Sequence, residues 1–194
     1  MIYIIRHGQT AKNKAKALQG RSNDPLNEMG RDQAGKVRDW FREQGISFDS
    51  VYSSPLSRAV DTAGIIAPEL TPVIDRRLIE MDYGPYEGMD LAKPLPEVVT
   101  FFSDFVNNPA PDGMEQLDEV VRRTGSFMES IRGEVPGKDI LISTHAIAMK
   151  GILEYLTPGS EGSYWSKYIG NCAVYKTDLA NGTYTVPEEV KIMI

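Results

Sequence analysis

Cysteine is nearly missing from this chain: Cys172 stands alone among 194 residues, so no internal disulfide and no cysteine-rich metal site can form. Histidine is almost as scarce, with only His7 and His145. No stretch concentrates Lys and Arg, and 27 acids against 21 bases leave a net charge of −6. That balance argues against a nucleic-acid partner and against a membrane surface. No segment approaches the roughly 20 apolar residues of a membrane span. The start, Met1-Ile-Tyr-Ile-Ile-Arg6, has no basic region, and its apolar run is too short for a signal peptide. The chain does have 41% hydrophobic and 25% charged residues, enough for a core and a solvated surface. Disorder, collagen and a mini-protein needing staples are thereby excluded. The expectation is a soluble, cytoplasmic protein with one domain over residues 1–194.

Short β-rich runs alternate with amphipathic helical runs. Ile2 to Ile5 reads as a buried strand, and Ser50 to Ser53 as a second. Thr71 to Ile74 reads as a shorter third, with Pro72 placing it at an edge. Asp139 to Ser143 is the plainest strand. Between them, Ala34, Val37, Trp40 and Phe41 mark one helix ending near Gly45, and Leu56, Ala59, Val60, Ala63 and Ile66 mark another ended by Pro68. Val98, Phe101, Phe102 and Phe105 suggest a helix after a Gly/Pro-rich stretch. Leu117 to Ile131 forms the longest, and Ala146 to Leu156 the last, before one or two C-terminal strands. This order predicts an α/β fold: three layers, α/β/α, around a largely parallel central sheet. The residues at about 85–113 are expected to form a lid-like insertion.

Open α/β sheets bind ligands beyond the carboxyl ends of their strands. Arg6, His7, Gly8, Gln9 and Thr10 follow the first strand; Ser53, Ser54 and then Arg58 follow the second; Thr144 and His145 follow the strong late one. Both histidines therefore sit at strand ends, with two arginines beside them. Arg pairs bidentately with phosphate oxygens. Each charge-assisted hydrogen bond contributes roughly 1.5–3 kcal/mol, so four such donors can hold a phosphoryl group without a metal. Helix N-termini near Arg58 and His145 are expected to add free N–H groups, and Gly8 to let the backbone approach the ligand or turn sharply. A neutral imidazole can also take the phosphoryl group itself. The leaving alkoxide then needs a proton, which Arg cannot supply, so a carboxyl group in the cleft is required.

The motifs carrying this chemistry resemble those of the histidine phosphatase superfamily, the phosphoglycerate-mutase-like proteins. Arg6-His7-Gly8-Gln9-Thr10 with Asn13 is similar to the family signature. Gln19-Gly20, Asp24-Pro25-Leu26, Gly30, Gln33-Ala34, Ser53-Ser54-Pro55-Leu56-Ser57-Arg58-Ala59, Thr62-Ala63, Glu80, Tyr83-Gly84, Glu87-Gly88 and His145 continue the pattern in order. The resemblance implies that His7 is the nucleophile, that Arg6, Arg58 and His145 form the phosphate pocket, and that Glu80, rather than nearby Asp82, is the proton donor and later the base for water. It implies that Asn13, Gln19 and Gly20 complete the pocket or contact substrate, and that neither metal nor organic cofactor is needed. Gln9, Thr10, Tyr83 and Ala146 join the candidate phosphate or substrate contacts, and Arg21 is a further possible contact.

Three departures from the family pattern bear on substrate choice. Ala146 follows His145 where glycine is usual, which could shift a backbone contact to phosphate. Gly113-Met114-Glu115-Gln116 replaces the commoner Gly-Glu-Ser, and Lys150 stands where many relatives carry Arg. Arg122 and Arg123 read as a solvated helix face. Between a phosphatase and a phosphoglycerate mutase, the sequence favours the first. From Pro85 to Gly113 the only base is Lys93, against Glu87, Asp90, Glu97, Asp104 and Asp112, a poor setting for a small bisphosphate. The expected substrate is a small phosphate ester whose organic part is larger or less charged than phosphoglycerate, and the protein is a candidate homodimer. A metal-dependent hydrolase is disfavoured by the histidine spacing, which provides no His-x-His or Glu-x-x-His unit. A non-catalytic phospholigand sensor ranks last, because every chemical role is retained.

Overall fold

Alternation along the strands decides the layering. In β1 (Ile2–Arg6), Ile2 and Ile4 face one side of the sheet while Tyr3 and Ile5 face the other. In β4 (Ile140–Thr144), Ile140 and Ile142 join the first pair and Leu141 the second. One core packs under α5 (Leu117–Ile131) and α6 (Ala146–Leu156) through Phe127, Met128, Ile131, Met149, Ile152 and Leu153. The opposite core packs under α2 (Glu28–Glu43) and α3 (Ser57–Ile66) through Ala34, Val37, Phe41, Ala63 and Ile66. The result, in a computed structural model describing residues 1–194, is the three-layer α/β/α arrangement that the sequence predicts.

The central sheet has six strands in the order β3-β2-β4-β1-β5-β8, with β2 at Ser50–Ser53, β3 at Val73–Ile74, β5 at Val174–Thr177 and β8 at Glu188–Val190. The first four are mutually parallel; β5 pairs antiparallel with β1, and β8 pairs antiparallel with β5 and so runs with the first four. The edge position predicted for the third strand is where β3 lies, although only two residues pair. The C-terminal region carries four strands rather than one or two, since β6 (Leu179–Ala180) and β7 (Thr183–Tyr184) form a small separate hairpin. A four-residue helix, α1 (Ala11–Lys14), is too short to show periodicity in sequence.

Residues 85–113 contain α4 (Pro96–Ser103), whose Val98 and Phe101 pack with Leu18, Met81, Tyr83 and Trp165 in a third core. The predicted helix does not reach Phe105. Asp104 instead accepts hydrogen bonds from the N–H groups of Val106 and Asn107, which turns the chain. No helix is long and apolar enough to cross a membrane.

Candidate active site

Strand register brings the two histidines together. Arg6 pairs with Thr144 across parallel strands, so the chain leaves β1 and β4 at the same level and delivers His7 and His145 side by side. The His7 N–H donates to the Thr144 carbonyl at 3.0 Å, and the imidazole centroids are 5.1 Å apart. Ser53 pairs with Ser143, so Ser54 leaves β2 beside them, its hydroxyl 2.7 Å from His145 Nε2. Both rings are buried, at 3% and 0% exposure.

The His7 tautomer is fixed locally. Its Nδ1 lies 2.7 Å from the Gly8 carbonyl, which only accepts, so Nδ1 carries the proton and Nε2 is left as the free base. Arg58 Nε donates to that Nε2 at 3.2 Å. Burial, then the charges of Arg6 and Arg58, hold the His7 pKa well below the ordinary histidine value. His145 is lowered likewise by burial and by Arg58, His7 and Arg6. Both imidazoles are therefore neutral near pH 7 in the unliganded protein.

Arg58 is completely buried, and the loop after Gln19 clamps it: its Nη1 donates to the Ser22 carbonyl at 2.6 Å and its Nη2 to the Gly20 carbonyl at 2.5 Å. Glu87 holds that loop in turn, accepting from the N–H groups of Gly20 and Arg21 and from the Ser22 hydroxyl. Arg6 donates one guanidinium nitrogen to the Ile169 carbonyl at 2.5 Å. Arg6 Nε and His145 Nδ1 are buried without any partner. A buried polar group left unpaired costs about 1–3 kcal/mol, and these two lie together where β1 and β4 end.

Glu80 lies in this cleft, at 4% exposure. Its Oε1 accepts from the N–H groups of Met81 and Ala148, and its Oε2 from that of Ile147. The first turn of α6 therefore presents two of its free N–H groups to this carboxylate, not to a phosphate as the sequence suggests, and the Ser57 N–H opening α3 is taken by Asn23. Asp82, the rival acid, instead pairs with Arg21 near the surface.

Several other expectations are redirected. Arg21 is no free contact: its three guanidinium nitrogens bond the Glu80 carbonyl, Asp82 and Glu115. Gln9 turns away from the histidines toward Asn27 and lines a surface groove with Lys14 and Met29. Thr10, Asn13 and Gln19 form one network beneath the loop, with Thr10 capping α1. Tyr83 is buried beside Gly20, and burial together with Glu80 pushes its phenol well above the usual range. Gly8 makes its close approach to the Gly30 backbone at the start of α2. Ala146 is the first residue of α6 and has no positive φ, so the backbone there does not demand glycine.

Three residues outside the expected catalytic and binding set support the site, and of these only Asn171 went unremarked in the sequence. Asn171 Nδ2 donates to the His7 carbonyl and to Asn13 Oδ1. Ser54 orients His145. Arg123, expected on a solvated face, is half-buried against Glu115 and donates to the Ile79 carbonyl immediately before Glu80. No three His, Cys, Asp or Glu side chains gather as a metal-ligand set. Cys172 is buried, and burial raises its thiol to about 12, far from the thiolate form.

The profile of the histidine phosphatase superfamily (branch 1) matches residues 2–189. A probable phosphoglycerate mutase, GpmB, of Yersinia pestis is 32% identical over 183 residues, covering 91% of this chain and 84% of that protein. Among solved structures, a phosphoserine phosphatase from Entamoeba histolytica superposes with a TM-score of 0.83 at 21% identity, covering 98% of this chain and 95% of the other. A mycobacterial glucosyl-3-phosphoglycerate phosphatase gives 0.81 at 22%, covering 91% and 92%.

Proposed function

Because the chain belongs to the histidine phosphatase superfamily, we propose that it hydrolyses phosphate monoesters through a phosphohistidine on His7. The observation that carries this reading is the unprotonated Nε2 of His7, which accepts from Arg58 Nε in a cleft where Arg6 Nε and His145 Nδ1 lack partners. In the first step His7 Nε2 forms a bond to phosphorus as the ester P–O bond breaks. Glu80 Oε2, which has a single backbone donor, passes its proton to the leaving alkoxide. In the second, water attacks phosphorus, Glu80 takes a water proton, the P–N bond breaks and orthophosphate leaves. Arg6, Arg58 and His145 stabilise the charge on the equatorial oxygens in both steps.

The 32% identity to a probable phosphoglycerate mutase supports a second reading, transfer between hydroxyls of phosphoglycerate. The scarcity of basic residues in 85–113, where only Lys93 is cationic, favours hydrolysis. A panel of phosphomonoesters, including sugar phosphates, nucleotide-like phosphates and phosphorylated side chains, separates the two. Phosphate release supports the hydrolase, whereas preferred conversion of 3- to 2-phosphoglycerate reverses the choice. Quenching during turnover is expected to trap an acid-labile adduct on His7, and His7→Ala to lose turnover by several orders of magnitude while folded. Glu80→Ala is expected to lose roughly 10²–10⁴-fold on esters with poor leaving groups and far less on a chromogenic ester. Sensitivity to a chelator would point instead to a metal-dependent reaction.

A further inference from the structure

Lys150 is a buried cation that the two steps above leave without a task. It lies on α6 one turn after Ile147, whose N–H holds Glu80, and a helical side chain leans back toward the N-terminal turn. Its exposure is 8%. The ammonium has three donors, of which the protein engages one, on the Trp165 carbonyl at 2.6 Å; the Phe105 ring lies beneath it at 5.4 Å. The same loop supplies the Ile169 carbonyl to Arg6, so one short segment anchors Lys150 and a phosphate-pocket arginine together. The charged groups facing Lys150 are Glu80 and Arg6. Around them stand Phe105 and Phe102, half-buried, and Trp165.

A buried ammonium without a carboxylate partner is costly. If anchoring the loop were its whole task, a neutral donor would serve. The surplus charge and the two unengaged donors, beside Glu80 and Arg6, fit an anionic group arriving with the substrate. We propose that Lys150 recognises a carboxylate on the alcohol half of the ester, so that phosphate esters of small hydroxy acids are the preferred substrates, in place of the larger or less charged organic part that the sequence suggests. This rests on the hydrolase reading. Burial lowers the ammonium to about 8, against the opposing pull of Glu80, so the recognition is strongest below that pH and weakens above it.

The test uses two esters that differ only in this group, 2-phosphoglycolate and 2-hydroxyethyl phosphate; neither has a second hydroxyl geometry for phosphoglycerate isomerisation. The wild-type protein is expected to favour 2-phosphoglycolate in kcat/KM by about tenfold to a hundredfold. Lys150→Met should bring the ratio near one, and Lys150→Arg should retain much of it. An equal ratio in wild type and Lys150→Met overturns the proposal. Should Lys150→Met fail to fold, the wild-type ratio between pH 6.5 and 9.5 decides. A fall around pH 8 supports Lys150, and a flat ratio overturns it, since phosphate ionisation cancels between the two esters. If the wild type releases phosphate from neither ester nor from a chromogenic one, the hydrolase reading itself fails. Release with no carboxylate preference sinks only the role of Lys150.

Discussion

Arg58 Nε sits 3.2 Å from the unprotonated Nε2 of His7, while the remaining two nitrogens of the same guanidinium are held by carbonyls of the Gly20–Ser22 loop. One planar fork thus fixes the environment of His7 and ties it to a loop whose acceptors lie 36 and 38 residues upstream of Arg58. Lysine presents a point charge on a flexible stem and cannot meet three acceptors in a plane. Arg58→Lys is therefore expected to lower kcat/KM by about 10²–10³-fold, although the charge is kept. Steady-state kinetics on a chromogenic phosphate ester measure it, and a loss under threefold would show that charge alone suffices.

Acid pH should weaken the unliganded protein through its histidines. His7 and His145 have native pKa values depressed well below 6.5, chiefly by burial and then by the neighbouring arginines. In the unfolded chain they return to about 6.5. Below that value the unfolded state takes up protons that the native state refuses, so stability is complete above about pH 6.5 and declines as the pH falls. The decline from this source stops once the pH passes below the native values. Each imidazole contributes at most about 1.4 kcal/mol per pH unit within the window. Melting temperatures at pH 7.5, 6.5 and 5.5 read this out, and His145→Asn should flatten the slope between the last two. Parallel losses in wild type and variant would assign the acid sensitivity elsewhere.

The legible part of the site was the part carried by strand ends. His7, Arg6 and His145 each directly follow or close a short β-branched run, and parallel register then leaves no other place for the two imidazoles. Arg58 was readable because it opens a helix directly after another strand. What escaped depends on contacts between distant residues. Asn171 reaches His7 across 164 positions, and Arg123 reaches the Ile79 carbonyl across 44. No local period or spacing encodes such pairs. The same blindness explains Arg21, whose neighbours in sequence gave no sign that Asp82 and Glu115 would engage it. Phe105 missed its helix because the Asp104 side chain competes for the backbone, a local effect that hydrophobic spacing does not register.

Glu87 acts on His7 through two intermediaries, the Gly20–Ser22 loop and Arg58. Its carboxylate accepts from the N–H groups of Gly20 and Arg21 and from the Ser22 hydroxyl, with Lys12 at 3.5 Å, and those loop residues clamp Arg58. Glu87→Ala should release the loop and let Arg58 drift. Displacement of a positioning group by about 1 Å can reduce rate by about 10²-fold. The expected signature is a fall mainly in kcat, with Glu87→Gln, which keeps one acceptor oxygen, restoring a substantial part. A general loss of folding would lower the active fraction without the rescue by glutamine, and active-site titration distinguishes the two.

The segment bearing His7 is also held by a contact between two backbones. A Cβ placed on Gly8 would overlap the carbonyl and Cα of Gly30, and one placed on Gly30 would overlap the backbone of Gln9. Backbone cannot swing aside as a flexible side chain can, so one element must move. Asn27 caps α2 through the Gly30 N–H at 2.8 Å, and the Gly8 N–H donates to Thr62 at 3.1 Å, so neither segment shifts without losing a hydrogen bond. Gly8→Ala is expected to destabilise by about 1–3 kcal/mol, seen as a melting temperature lower by about 2–12 °C. Gly30→Ala should lose a similar amount. Because both substitutions wedge apart the same pair of segments, the double variant should be less destabilised than the sum of the single ones. Strict additivity in a denaturant series would mean that the two glycines are needed for separate reasons.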